Sequence, residues 1–287
     1  MGRFSPRKLC NYSVEQSASS CPPTPSAFCT VLVLLRCRLN QPVLRRQRQV
    51  PDGVTLLTQA GHVPDPWQVQ VLRSQATRLL LLCSRQAGKT CVAAALALGT
   101  ALREPGSLTL ILSASLRQSQ ESFRRVLDLY RTLQTPIPTQ AESALRLEFG
   151  NGSRIISLPG TESTVRGYSG VRLLVIDEAA RVSDDLYYSV RPMLAVSQGR
   201  LLALSTPWGK RGWYHQEWTT GEGWERVMIT AYDVPRIARA FLDEERRSLP
   251  ALWFQSEYLC EFVDTLDQVF SYEQVMGAMS EDVAPLF

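Results

Sequence analysis

The sequence predicts an α/β fold, with a central, mostly parallel sheet flanked by helices. Short continuous apolar runs recur along the chain, at Leu79–Cys83, Leu108–Leu112 and Leu173–Ile176, and again at Leu201–Leu204. Such runs are strands buried on both faces, as the strands of a parallel sheet are. Helical patterns separate several of them, and that alternation builds crossover connections. At 287 residues and 45% hydrophobic, the chain can bury one large core, or one core plus an appendage.

The stretch that organises the rest is RLLLLCSRQAGKTCVAAALA, residues 78–97. An apolar strand, the loop Ser84–Lys89 and an alanine-rich helix follow one another, which is the context of a phosphate-binding P-loop. In such a loop the backbone N–H groups of Ser84, Arg85, Gln86, Ala87 and Gly88 wrap phosphate oxygens. Lys89 reaches the β/γ oxygens of ATP, and the Thr90 hydroxyl ligates Mg²⁺. The usual pattern places glycine five positions before the Gly-Lys pair; here that position is Cys83, and Gly88 is the loop's single glycine. The chain has only three lysines, Lys8, Lys89 and Lys210, and arginine is a poor substitute for a compact ammonium at phosphates.

Charge is unevenly spread. Residues 1–50 hold eight Lys/Arg and one acid, whereas the rest of the chain is slightly acidic. The body is therefore not a generally basic nucleic-acid binder, and any DNA contact must come from a local patch. Seven cysteines match no zinc spacing and only two histidines are present, which argues against a structural metal site and for a reducing, cytoplasmic compartment. The run Val31–Leu35 is far too short to cross a bilayer and lacks signal-peptide features.

Taken in order, residues 1–53 show no periodic apolar face and read as a disordered basic tail, a nucleic-acid-binding arm, or a segment upstream of the true start. Leu56–Gly61 reads as a short helix ended by glycine. PDPWQVQVLRS then starts a helix at Pro66, where Gln68 is either a reader of the adenine edge or a solvent-facing helix residue. After the P-loop helix, Phe123, Val126, Leu127, Tyr130 and Leu133 share one helix face, with Arg117, Arg124, Arg125 and Arg131 on the other. ALRLEFGNGSRIISLPG alternates about Asn151-Gly152, a strong hairpin signal. The glycine-punctuated loop TESTVRGYSG follows, with Arg166 at its centre.

VRLLVIDEAARV supplies the second signature. Asp177 and Glu178 end an apolar strand at the sheet edge where ligands bind in open α/β folds. There Asp177 would hold the Mg²⁺ water shell and Glu178 would polarise the attacking water. Asp184 or Asp185 could cap a helix running through Met193. The strand of RLLALSTPWGKRGWY ends in Ser205-Thr206, hydroxyls placed to sense a γ-phosphate and pass the change to Trp208–Trp213. WERVMIT reads as a further strand, and Phe241–Leu249 and Ala251–Glu261 as closing helices.

With a glutamine before the first strand, then SRQAGKT, VIDEA and LSTPWGKRGW, the sequence resembles the ATPase domain of large terminase subunits, motors that package viral DNA into procapsids. The resemblance spans roughly Leu56 to Phe270 and includes the Arg-Gln inside the loop and VRGYSG. It implies a P-loop NTPase of the ASCE/RecA-like kind, with a strand between the P-loop strand and the Asp-Glu strand and the hairpin 145–158 as a peripheral addition. It implies Gln68 at adenine, Lys89 and Thr90 at phosphate and Mg²⁺, Asp177 at the metal, Glu178 as the catalytic carboxylate and Ser205-Thr206 as the coupling motif. Arg85, acting within its own subunit, and Arg166, reaching a neighbour's site, compete for the arginine-finger role. Double-stranded DNA, a homo-oligomeric ring, a portal, a small terminase subunit and a host bacterial cytoplasm come with the same resemblance.

On this reading residues 54–270 form the ATPase domain and 271–287 a C-terminal tail too short for the family's nuclease domain. Asp264 and Asp267 are then linker residues, not metal ligands, and no DNA cutting is expected. The rival readings are a helicase-like translocase, which needs a second RecA-like domain, and an inactive DNA-binding relic of an integrated element.

Overall fold

In a computed structural model of the protein, the described residues are 50–134, 136–160, 165, 167–264 and 272–279. Helices α1 (Gly53–Gln59) and α2 (Pro66–Arg73) precede the P-loop strand β1 (Arg78–Cys83) and helix α3 (Lys89–Arg103). Strand β2 (Leu108–Ser113) and helix α4 (Leu116–Arg131) follow, then β3 (Thr139–Glu142), β4 (Arg146–Phe149), β5 (Arg154–Pro159) and β6 (Val171–Asp177). Helix α5 (Asp184–Val190), strand β7 (Arg200–Ser205), α6 (Gly212–Thr219) and β8 (Glu225–Ile229) complete the sheet region. Helices α7 (Arg239–Ser248), α8 (Ala251–Leu259) and α9 (Tyr272–Ala278) come last.

Among the described residues one eight-stranded sheet runs in the order β3-β4-β5-β2-β6-β7-β1-β8. The strands from β5 to β8 pair in parallel, and β3 and β4 add antiparallel. Strand β7 lies between the P-loop strand and the Asp-Glu strand, as the sequence resemblance implies. Alternate residues of each strand face two separate cores, as the period of two demands. Leu79, Leu81 and Cys83 pack with α1 to α4 on one side. Leu80 and Leu82 pack on the other with Leu186, Tyr187 and Trp213. Helix α3 is buried along its whole middle, Val92 to Leu102, which explains its alanines: small side chains let it approach the sheet and neighbouring helices closely. Leu80 and Leu81 are fully buried, and truncating either to alanine costs about 2–5 kcal/mol by transfer and cavity terms.

Three expectations change. The hairpin is not a peripheral addition: β5 pairs in parallel with β2 along its whole length, so the hairpin extends the main sheet. The buried Ile155 and Ile156 make this favourable. Neither Asp184 nor Asp185 caps α5. Ser183 does, its hydroxyl accepting from the Leu186 N–H, while the Asp184 carboxylate accepts from the Trp213 N–H at 2.8 Å. Its helix ends at Val190, and a 3-10 turn carries the chain to Leu194. The body also begins inside the 1–53 boundary, because Asp52 caps α1 by accepting from the Thr55 N–H and Gly53 is buried. Residues 1–49 of that segment lie outside the described residues. Among the described residues no helix is long and apolar enough to cross a membrane.

Candidate active site

The carboxyl ends of β1, β2, β6 and β7 meet at one rim. Register places Ser113 beside Asp177, Asp177 beside Leu204, and Leu82 beside Ser205. The P-loop crosses this rim. Cys83 still pairs with Ile229 in the sheet and is fully buried, so the chain does not turn there and has no need of glycine. Burial pushes its thiol up to about 12. The turn comes later, through Gln86 at φ 60° and Gly88 at φ 91°. At Gly88 a Cβ would lie 3.0 Å from Gln68 Nε2 and 3.3 Å from Arg236 Nη2. The left-handed backbone and the crowding together fix glycine at this one position.

Lys89 and Thr90 open α3 and line a cleft of about 640 Å³, within the size range of small-molecule sites. Arg85 through Gly88, Glu178 and Thr206 line it too, with Gln118, Glu121 and Arg125 of α4. Lys89 Nζ is 2.9 Å from Glu178 Oε1, with the two side chains only 13% and 20% exposed. Glu178 holds a left-handed backbone, φ 55° and ψ 43°, a strained conformation for a non-glycine residue of the kind found at functional sites.

Asp177 sits behind this pair. One carboxylate oxygen accepts from the Ser122 hydroxyl at 2.9 Å and the other from the Glu178 N–H at 3.0 Å. Burial, then the charge of Glu178, raises its pKa to about 6. Among the described residues the neighbouring buried hydroxyls of Ser113 and Ser205 find no partner, nor does that of Ser84. A costly buried carboxylate flanked by orphaned oxygens, with the Thr90 hydroxyl on the cleft wall, fits a divalent cation such as Mg²⁺. Among the described residues no three His, Cys, Asp or Glu cluster as a metal cage. Mg²⁺ needs none, since phosphates and waters supply most of its ligands.

The raised pKa has a measurable sign. Asp177 is protonated in both folded and unfolded chains well below 3.8, and its burial costs progressively more as pH rises to about 6. Two pH units correspond to about 3 kcal/mol, less about 1 kcal/mol for a disturbed hydrogen bond. In EDTA at pH 8, Asp177→Asn should therefore raise Tm by about 4–8 °C. The gain should fade below the folded pKa and vanish in acid. An unchanged Tm at pH 8 would show that the charge is already compensated.

The remaining candidates divide. Gln68 is buried beside Gly88, but its side-chain oxygen already accepts from the Asp65 N–H at 2.9 Å in a capping box. Reading both edges of adenine would require breaking that cap. Ser205 is buried in the sheet, while Thr206 reaches the cleft. Arg85 lines the cleft but pairs with Glu257 of α8 through two nitrogens, and is 59% exposed. Its partner raises its already high pKa. Arg166 and Asp267 lie outside the described residues. Asp264 pairs with Lys210 at 3.5 Å.

Two further arginines lie at the site. Arg236 donates to the buried Asp65 carboxylate at 2.6 Å and to the Ala87 carbonyl at 2.9 Å, bracing the P-loop against α2. Nothing in DVPRIARA marks it, because its partners are 149 and 171 residues away in sequence. Arg181 lines the cleft from the turn after Glu178; its position in VIDEAAR was the available signal. The row on α4 is partly neutralised: Glu121 lies 3.5 Å from Arg125 and 3.9 Å from Arg124, and Arg131 is 3.2 Å from Glu142.

Comparison with known proteins agrees with the geometry. The chain is 28% identical over 247 residues to the large terminase subunit of Thermus phage G20c, covering 74% of this chain and 51% of that protein. Against the large terminase subunit of Escherichia phage T5 the figures are 26% over 230 residues, 75% and 51%. The chain thus spans about half the length of the curated relatives it matches. The large terminase ATPase domain of Thermus phage P74-26 superposes with a TM-score of 0.64 at 25% identity, covering 72% of this chain and 97% of that domain. The large terminase of bacteriophage HK97 shares the fold at a TM-score of 0.57 and 14% identity, covering 70% of this chain and 51% of that one. The fold is that of a P-loop NTPase. The family described as terminase large subunit, T4likevirus-type, N-terminal, matches residues 80–275, well over half of the sequence, and the chain belongs to that family.

Proposed function

We propose that the chain is an ATP-hydrolysing motor domain of a large terminase, coupling hydrolysis to movement of double-stranded DNA. The observation that carries this is the convergence of Lys89, Thr90, Glu178 and Thr206 on one cleft, with Asp177 directly behind it. Lys89 leaves its ion pair with Glu178 to take up the β/γ oxygens. Glu178, released, orients the attacking water and accepts its proton. Thr90 and Asp177 would hold Mg²⁺, which supplies neutralisation of phosphate charge. Arg236 keeps the loop in its wrapped conformation throughout. Thr206 stands where loss of the γ-phosphate can be felt, at the head of the segment leading to α6.

A homo-oligomeric ring around DNA, docking on a portal, delivery of the genome by a small subunit and work in a host bacterial cytoplasm belong to this proposal. The test is steady-state ATPase activity of the full chain with Mg²⁺, with and without linear duplex DNA. Mg²⁺-dependent turnover that rises with DNA is the expected result. Failure of the folded chain to bind or hydrolyse ATP would overturn the proposal.

A further inference from the structure

Among the described residues three guanidinium groups line the cleft, those of Arg85, Arg125 and Arg181. Arg85 is held by Glu257 and Arg125 faces Glu121 at 3.5 Å. Arg181 pairs with no carboxylate among the described residues. Its guanidinium carbon instead lies 3.7 Å from the ring centroid of Trp208. The backbone N–H of Arg181 donates to the Glu178 carbonyl at 2.9 Å, so the side chain is hung directly from the catalytic turn. Trp208 is 36% exposed and lies two residues beyond Thr206, in the segment where Lys210 pairs with Asp264 and Glu273.

We propose that Arg181 contacts the γ-phosphate of the nucleotide in its own subunit, and that it leaves the Trp208 ring to do so. A planar fork matches a phosphate bidentately, and a charge-assisted pair of hydrogen bonds outweighs stacking on an indole at a part-exposed site. ADP offers no γ-phosphate, so the guanidinium stays on the ring. ATP draws it away and frees the indole, and the segment carrying Lys210 registers the nucleotide's state. Thr206 and Arg181 then report on one phosphate, the first from the head of that segment and the second through the Trp208 ring. The proposal rests on the ATPase reading above.

The test uses the full chain with Mg²⁺ and either ADP or ATPγS, following tryptophan emission with the Trp208→Phe protein as the blank. A cation over an indole alters its emission, so ATPγS should change the Trp208 signal and ADP should not. Arg181→Ala should lose this discrimination, keep ADP affinity within about twofold, and lower kcat on the order of 100-fold, as expected when one donor to developing phosphoryl charge is removed. Arg181→Lys, which retains the charge but not the fork, should recover part of kcat. Should Arg181→Ala fail to fold, the parent's emission still decides. A Trp208 signal identical for ADP and ATPγS, or silent in a protein that hydrolyses ATP, sinks this proposal alone. A parent that binds neither nucleotide sinks it together with the ATPase reading.

Discussion

Glu178→Gln should bind ATP more tightly than the parent while turning it over on the order of 100- to 10,000-fold more slowly. The loss of rate follows from removing the base. The gain in affinity follows from the ion pair: in the parent, ATP must draw Lys89 away from a carboxylate 2.9 Å distant, and a neutral amide holds the ammonium far less. Lys89→Ala should do the opposite, abolishing ATP binding, because no other lysine lies near the loop in sequence. Calorimetric titration with ATP, followed by single-turnover hydrolysis, separates the two effects. A glutamine variant that hydrolyses ATP within about tenfold of the parent would remove Glu178 from the role of base.

Arg166→Ala should lower ATP turnover by roughly 10³- to 10⁵-fold with ATP binding retained, the effect of losing an arginine finger in P-loop enzymes. Arg85 is the competitor, and its two bonds to Glu257 hold it in its own subunit; using it on the γ-phosphate would mean giving up both. We propose that the finger is Arg166, acting on a neighbour's nucleotide. Arg166→Ala and Glu178→Ala proteins should each be inactive alone. Mixed one to one in a ring, about a quarter of interfaces would join an intact Glu178 to an intact Arg166, which sets the ceiling on recovered activity. Light scattering should confirm assembly on DNA and exchange of subunits. Mixed rings with no recovery would sink the trans role and leave it to a guanidinium of the same subunit, Arg85 or Arg181.

The sequence revealed features that depend on short-range pattern. β1, the P-loop and α3 follow from one continuous stretch, and the Asp177-Glu178 pair announces itself by ending an apolar strand. The strand inserted between β1 and β6 came from resemblance, since no local signal fixes strand order. What stayed hidden depends on contacts across long separations. Arg236 matters because folding brings it to Asp65 and Ala87. Arg85 reads as an open competitor for the phosphate until α8 delivers Glu257. The hairpin was legible as a hairpin, but its pairing with β2 was not, because alternation specifies faces and turns and leaves the neighbouring strand undetermined. Asp184 misled for a related reason: an acid at a helix start is expected to cap its own helix, and here a distant N–H claims it.

The start of α6 is fastened on several sides. Trp213 stacks on Tyr187 with ring centroids 3.8 Å apart and donates through Nε1 to the Val182 carbonyl at 3.1 Å. Tyr214 donates to the Leu81 carbonyl of the P-loop strand at 2.6 Å. At the other end Ser205 is locked in the sheet. The short span from Thr206 to Arg211 is therefore strung between two anchored ends. A cord fixed at both ends cannot slide along its length; it can only bow outward or draw flat. Whatever force the cleft exerts on this span must emerge at right angles to it, as a sideways displacement at Trp208 and Lys210. The stroke of such a device is set by slack, not by the reach of any helix, and shortening the span by one residue would stiffen it without touching the chemistry.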